Sequence, residues 1–375
     1  MANSLDGPRA ARPEELADIL VLANVVMREG RAPTIATDYP FIYNAENVGN
    51  IIIIRDGDRV ISSAGTWMNT VEAGDGRIRA GGINCVATLP GCRGQGLATM
   101  VMRKAVQHIA ALGCHIGRLT TNIDDWYYRM GWENAGSLYT YRLNHSNVEL
   151  LPELPDELTV VETREFSDEL FEAIVGLRQI DRLGGVRTPE LMRALLEAGS
   201  DPKLMGGKRF VVASQGSVPL AYCLDTERGI IEWGGDGRLV AGLIREWFGR
   251  RVGQRGGKLS PGYEEKVAPS RELAVITPRT GHTFIELLET VSLSVDHAYW
   301  GMLNVIDPRG ILDAFGLESI DLREENGMFT LSRGHESITV TRQALAKLLF
   351  GPERIAGFAA DRLPFLFWEW PLEHV

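Results

Sequence analysis

Cysteine is scarce in this chain. Four thiols (Cys85, Cys92, Cys114 and Cys223) are scattered over 375 residues, with no Cys-x-x-Cys pair. That argues against a disulfide framework and against a thiolate zinc site. Cys85 and Cys92 read as buried small hydrophobes rather than nucleophiles. The seven histidines include no His-x-His or His-Glu-x-x-His pair, so no metal is expected. Long apolar runs are missing too. None approaches the roughly 20 residues that span a bilayer, and Met1-Ala-Asn-Ser-Leu-Asp6 is not a basic-then-apolar leader. A cytoplasmic protein with no membrane partner is the expectation. Basic residues are outnumbered, 39 to 49, for a net charge of −10. Nucleic-acid binders carry a basic face, so none is expected as partner. A cationic acceptor such as an amine is compatible with this charge, and so is an ordinary solvated acidic surface.

What remains is a globular composition, 45% hydrophobic and 23% charged, long enough for two or three domains. Its chemistry is concentrated in Val86-Ala-Thr-Leu-Pro-Gly-Cys-Arg-Gly-Gln-Gly-Leu-Ala98. An apolar strand end leads through Pro90-Gly91 into a Gly-rich loop and then a helix to about residue 112. The helix is read from Val101, Met102, Ala105, Val106 and Ile109, three and four apart, with Gly113 as a left-handed cap. The start of a helix leaves N–H groups unpaired at the positive end of its dipole. Such a place suits a pyrophosphate. Gly94 and Gly96 let phosphate oxygens come close, and Arg93 adds a fixed positive charge. No Gly-Lys-Ser/Thr follows, and the glycine spacing is not that of a dinucleotide fingerprint.

Arg93-x-x-Gly96-x-Ala98 resembles the Gln/Arg-x-x-Gly-x-Gly/Ala signature of the GNAT N-acetyltransferases. Trp126-Tyr-Tyr-Arg-Met-Gly-Trp132 resembles that family's Tyr-x-x-x-Gly-Phe element. The resemblance implies that Arg93, Gly94, Gln95, Gly96, Leu97 and Ala98 bind the pyrophosphate of acetyl-CoA. Val86, Ala87 and Thr88 would bind its pantetheine arm where this strand parts from the next. Tyr127 would protonate the departing thiolate, as a phenol of pKa about 10 can.

Before this stretch, residues 1–12 read as frayed, and a helix follows to about residue 27. The segment 31–49 carries Tyr39, Phe41, Tyr43 and Glu46 in an irregular loop, read either as an acceptor-pocket wall or as packing. A meander around Asp56-Gly57-Asp58 and Ala73-Gly-Asp-Gly76 leads into the motif. The strand at 115–121 comes after it, and a closing strand at 138–143 ends the first unit.

Residues 149–157 read as a linker. A second unit then repeats the order of three strands and a helix, with Gly234-Gly-Asp-Gly237 at the loop position. An Asp there repels phosphate, so this reads as a unit without a cofactor site. From about residue 282 the pattern changes again. Asp307-Pro308 and Thr341 start helices, and the tail Leu363-Pro-Phe-Leu-Phe-Trp-Glu-Trp-Pro-Leu-Glu-His-Val375 is aromatic enough to require burial.

This layout resembles the Eis (enhanced intracellular survival) acetyltransferases. It implies a mixed α/β (α+β) fold of three parts. They are a GNAT catalytic domain at 1–148, a degenerate GNAT-like domain at 149–285 and a sterol-carrier-like α/β domain at 286–375. It further implies a terminal carboxylate, here on Val375, as general base, a small-molecule amine or lysine-containing acceptor, and an assembly of copies. Two departures stand out: the last residue is Val rather than an aromatic, and the loop has one Arg where the best-known members have several. The rival reading is a non-catalytic acyl-CoA sensor or a lipid- or acyl-binding protein.

Overall fold

The structure is a computed structural model that describes residues 5–32, 34–164, 167–198, 207–254, 272–278, 281–292, 294–355 and 357–373. Three sheets organise it. In the first, β1 (Asp6–Ala10), β2 (Ile52–Asp56), β3 (Arg59–Ala73) and β4 (Gly76–Thr88) run antiparallel, and β5 (Ile116–Leu119) joins β4 in parallel. Within residues 1–12, expected to be frayed, Asp6–Ala10 is an edge strand paired with β2; residues 1–4 lie outside the described residues.

The Ile51–Ile54 run explains why this sheet is buried on both faces. Successive strand side chains point to opposite sides. Ile52 and Ile54 pack under α3 (Leu97–Ala111), whereas Ile51 and Ile53 pack with α1 (Leu16–Arg28). Leu97, Val101, Met102, Ala105 and Ile109 form the buried stripe of α3. The register pair Gly81 and Gly117 lets α3 sit close. A Cβ on Gly81 would lie 2.7 Å from Ile109, and one on Gly117 would lie 2.9 Å from Trp132. Gly113 is left-handed as expected, with φ +77°.

The second sheet has the order β14-β7-β13-β12-β11-β10-β8. These are β7 (Leu138–Asn144), β8 (Thr159–Thr163), β10 (Arg209–Gln215), β11 (Val218–Thr226), β12 (Gly229–Gly235), β13 (Glu272–Thr277) and β14 (Val295–Ala298). Here β10, β11 and β12 form the meander, α7 (Gly237–Gln254) follows, and β13 lies parallel to β12. The layout repeats that of β2 to β5. Helices α5 (Asp168–Asp181) and α6 (Pro189–Glu197) are capped by Ser167 and Thr188. The remaining elements are α8 (Thr283–Val291), α9 (Pro308–Ala314), a third sheet of β16 (Asp321–Glu325), β17 (Met328–Arg333) and β18 (Glu336–Thr341), and α10 (Arg342–Phe350). Asp307 and Thr341 do cap their helices.

Strand pairing crosses the expected unit limits. The strand Leu138–Asn144 does not close the first sheet. It pairs with β13 and β14 in the second. The first sheet is completed by β15 (Gly301–Val305), from the third region, which lies between β5 and β6 (Glu133–Ala135). Gly136 lies at the point where the chain leaves the first sheet for the second. It bends the chain with φ +69°, and a Cβ there would sit 2.9 Å from Trp300. The short β9 (Leu183–Gly185) adds to the far end of β3.

The tail is buried as its composition demands. Phe365, Phe367, Trp368, Trp370 and Leu372 are all in the core. It carries two buried carboxylates. Glu369 sits 2.7 Å from Arg118 Nε, off the N–H axis, and accepts from Asn69 Nδ2 at 2.5 Å. Glu373 accepts from Arg187 Nε at 2.7 Å. Arg187 and Arg178 also hold Glu232, which accepts from the Tyr222 hydroxyl. Burial pushes the Glu369 carboxyl up to about 8 against the pull of Arg118. Burial acts the same way on Glu373, but Arg187 and Arg178 outweigh it and hold that carboxyl below its usual range.

Removing the cation beside a carboxylate that is held ionised strands a charge in the core, and Glu373 is such a carboxylate. Arg187→Met should therefore lower the free energy of unfolding in urea by about 3–5 kcal/mol. Adding Glu373→Leu to that variant should recover part of the loss.

Candidate active site

The site is built where β4 and β5 part. Their parallel pairing ends at Gly82 and Arg118. Beyond it, residues 83–88 of β4 are bonded to β3 on one side only. Their other edge offers free backbone groups to an extended ligand. Across β3 the register shifts: Ser63 faces Ala87 but Gly65 faces Asn84, so Cys85 and Val86 together oppose Ala64. This is a β-bulge, with Cys85 held at φ +46°. A bulge turns N–H groups out of the ladder, which supplies donors for a polarised carbonyl.

Tyr43 and Asn84 brace the bulge from the α1 side. The Tyr43 hydroxyl reaches Asn84 Oδ1 at 3.4 Å. A Cβ on Gly65 would meet that hydroxyl at 2.7 Å, so glycine is needed beside the bulge, across from Asn84. Burial pushes the Cys85 thiol up to about 11, and a hydrogen bond from Tyr43 only partly opposes it. The thiol is neutral near pH 7, which fits the reading of Cys85 as no nucleophile.

Past Thr88 the chain makes a short turn over Pro90–Cys92 and enters the glycine loop. Gly94 and Gly96 are left-handed at φ +77° and +78° and face open space, with nothing within 4 Å of an added Cβ. No side chain caps α3. Its first N–H groups, at Leu97, Ala98 and Thr99, therefore point outward without a helical acceptor. Arg93 is exposed beside them, with Nε 3.4 Å from the Thr88 carbonyl. Gln95 is exposed in the same turn.

Tyr127 lies in the one-turn α4 (Asp124–Tyr128) and is 7% exposed. Trp126 and Trp132 hold its ring edge to face, with centroids 4.8 Å and 6.2 Å away. It shares a core with Ile83, Leu97 and Leu119, against which Val86 and Leu89 pack. Burial, aided by nearby Cys85, pushes its hydroxyl up to about 12. Tyr128 lies on the other side of the turn, where Asn134 donates to its hydroxyl at 2.7 Å.

The structure thus brings Val86, Leu97 and Tyr127 into one cluster at the strand split, with Arg93 bonded back to Thr88 at its edge. Val375 lies outside the described residues. The described chain reaches Glu373, and Leu372 packs in the same cluster as Phe41, Tyr43 and Trp67. Sequence reasoning missed Arg118, Asn84, Asn69 and Glu369. A signal for the first two was present, since Arg118 is the one polar residue of β5 and Asn84 interrupts the apolar run from Ala80 to Ala87. The Arg118 guanidinium lies 5.3 Å from the Trp67 ring centre, at the floor of the split.

The second sheet shows the same layout with the anion site filled. Asp236 accepts from the N–H groups of Arg238 and Leu239 at 2.9 Å and 3.1 Å, so the start of α7 is capped by its own carboxylate. A Cβ on Gly237 would lie 2.6 Å from the Phe284 backbone, which leaves no room for a phosphate. Strand β12 then carries Trp233, packed by His282, Phe284 and Trp370.

Comparison with known proteins agrees with this geometry. Residues 8–135 match the family model of the acetyltransferase (GNAT) domain, so the first part of the chain carries a domain of that kind. Among curated proteins, none matches the sequence. Solved structures that share the fold over most of the chain include the following three. A GCN5-related N-acetyltransferase from Anabaena variabilis is 14% identical over 99% of this chain and 100% of its own, with TM-score 0.66. One from Kribbella flavida is 15% identical over 91% and 83%, with TM-score 0.57. Eis1 from Mycobacterium abscessus is 14% identical over 93% and 90%, with TM-score 0.59. Among the described residues no group of acidic, histidine or cysteine side chains could hold a metal, and no helix is long and apolar enough to cross a membrane.

The cap on α7 is testable. Asp236→Ala should lower stability by about 1 kcal/mol in thermal unfolding. It should create no anion site at the start of α7, so any binding of CoA in calorimetric titration should keep the parent's stoichiometry, because Gly237 stays packed against Phe284.

Proposed function

We propose that this chain is an N-acetyltransferase that moves the acetyl group of acetyl-CoA directly to a primary amine, on a small molecule or a lysine side chain. The observation that carries this reading is the uncapped start of α3, with open glycines and Arg93, at the mouth of a strand split. The pyrophosphate binds the amides of residues 94–98 and the Arg93 guanidinium. The pantetheine arm takes the free edge at Val86, Ala87 and Thr88 as an added strand would.

The thioester carbonyl then lies at the Cys85–Val86 bulge, whose N–H groups stabilise the oxygen as it gains charge. The amine attacks as the neutral base. The C–N bond forms, the C–S bond breaks, and the Tyr127 hydroxyl gives its proton to the thiolate. The carboxylate on Val375 takes the proton lost by the amine. Its placement rests on the family resemblance and on the course of the tail toward Phe41, Tyr43 and Trp67. Two residues beyond Glu373 extend about 7 Å at most. A neutral Cys85 thiol supports direct attack without an acyl-enzyme. In this reading residues 1–148 are the catalytic unit, 149–285 a unit without a cofactor, and 286–375 a supporting unit that sends its tail to the site.

Tyr127→Phe should lower kcat by about a hundredfold with little change in the KM for acetyl-CoA. The measurement is thiol release with a verified amine acceptor, and equal turnover in the variant would remove Tyr127 from the chemistry. Because its pKa is raised to about 12, Tyr127 stays protonated through the working range. The kcat profile should therefore rise with pH as amine and base lose protons, without a falling limb from Tyr127 below about pH 11. Arg93→Ala should raise the Kd for CoA by about tenfold and leave kcat nearly unchanged. CoA binding with no release on any amine would favour a sensor instead.

A further inference from the structure

The turn that carries Tyr127 is only five residues long. A helix leaves its last carbonyls without helical partners, and in α4 that is most of them. So short a helix is marginal in water and depends on bonds made outside it. Some come from the chain just beyond. Met130 and Trp132 donate to the Tyr127 carbonyl at 2.9 Å and 3.3 Å. Gly131, left-handed at φ +86°, donates to the Tyr128 carbonyl at 3.1 Å. Asn134 Nδ2 ties Asp124 Oδ2 to the Tyr128 hydroxyl, at 2.8 Å and 2.7 Å. All of these stay within residues 124–134.

The third region supplies fastenings from far along the chain. Gln343, in the first turn of α10, donates from Nε2 to the Tyr128 carbonyl at 3.1 Å across a separation of 215 residues. The carbonyl has a second lone pair to accept it. Asn304 of β15 reaches the Met130 carbonyl at 3.5 Å. The start of α10 is itself anchored. Thr341 caps it, and Arg342 donates to the Val305 carbonyl with its guanidinium 4.9 Å from the Phe329 ring centre. Met302 of β15 is buried in the same cluster as Tyr127.

We propose that Gln343 is a positioning residue for acetyl transfer: its bond to the Tyr128 carbonyl sets how far the Tyr127 hydroxyl stands from the thioester sulfur. This rests on the reading of Tyr127 as the acid. Trp126 and Trp132 set the tilt of the Tyr127 ring, but the backbone of the turn sets its height. Proton transfer needs hydrogen-bond reach, and a displacement of about 1 Å can cost about a hundredfold in rate. The choice of residue agrees. Gln343 is the second residue after the cap, at the positive end of α10, where the helix alone would favour a carboxylate. A carboxylate there would repel the Tyr128 carbonyl. Glutamine serves α4 instead.

The test is turnover of the full chain by thiol release with a verified amine acceptor. Gln343→Met removes the donor at nearly constant volume, and Gln343→Glu puts a repelling oxygen in its place. kcat should fall about fivefold in the first and about twentyfold in the second, with the KM for acetyl-CoA unchanged. The melting temperature of Gln343→Glu should equal or exceed the parent's, which separates lost position from lost fold. In a Tyr127→Phe background neither change should lower kcat further, because no proton remains to be placed. Amide hydrogen exchange needs no acceptor, and in Gln343→Met it should speed up at residues 124–132 and stay unchanged in α3. Parent kcat in both Gln343 variants beside a slow Tyr127→Phe would overturn this inference and leave Tyr127 as the acid. Losses of full size in the Tyr127→Phe background, or unchanged exchange at 124–132, would also overturn it. Parent turnover in Tyr127→Phe would overturn the acid and the positioning role together.

Discussion

Two parallel strands that stay paired only as far as Gly82 and Arg118 set the terms for everything else in the first sheet. A parallel pair needs a long crossover, and α3 supplies it. The crossover must start at the C-terminal end of β4, so its free amides fall beside the gap. The bulge at Cys85 and Val86 lies on the same strand, a few residues short of the loop. Loop and open edge are thus consequences of one topological choice, and the bulge lies on the strand they share. Open α/β sheets place ligands outside the carboxyl ends of their strands for the same reason.

The second sheet shows that topology alone does not make a site. Its meander, crossover helix and parallel strand repeat the plan. Three local differences close it. Asp236 satisfies the helix start, the Phe284 backbone crowds Gly237, and Trp370 comes in from the tail to pack on Trp233. The first sheet has Gly96 in place of a capping carboxylate, and open space at Gly94 and Gly96. Function on this fold depends on what is left out of the loop as much as on what is in it.

Much of this was legible in the residues. The glycine loop, the stripe of α3, the turn at Asp56-Gly57-Asp58 and the caps at Asp307 and Thr341 are local signals, and each element formed as its chemistry required. The unlucky element was Leu138–Asn144. Its alternation marks a strand but says nothing of the sheet it joins. Sequence proximity favoured the first sheet, and the chain bends at left-handed Gly136 and pairs in the second. The borrowed strand Gly301–Val305 was hidden for the same reason, since pairing at a separation of more than 180 residues leaves no local trace. Among site residues, Tyr127 and the loop carry a motif, whereas Arg118 and Glu369 are partners across the chain that only the fold brings together.

The buried charges of the tail are better understood as a register device than as a source of stability. Apolar residues of similar size would fill the same space at no loss, because desolvation offsets most of the attraction in a buried pair. What apolar residues cannot do is distinguish one alignment of Phe-Leu-Phe-Trp-Glu-Trp-Pro-Leu-Glu from the next. Aromatic side chains every second residue would tolerate a slip of two. Glu369 and Glu373 would not. Each has its own arginine, Arg118 on β5 and Arg187 just after β9, and a slipped tail would bury both carboxylates and at least one guanidinium unpaired. At several kcal/mol per stranded ion, that outweighs any gain from aromatic repacking. The alignment so fixed seats Leu372 against the aromatic cluster of Phe41, Tyr43 and Trp67.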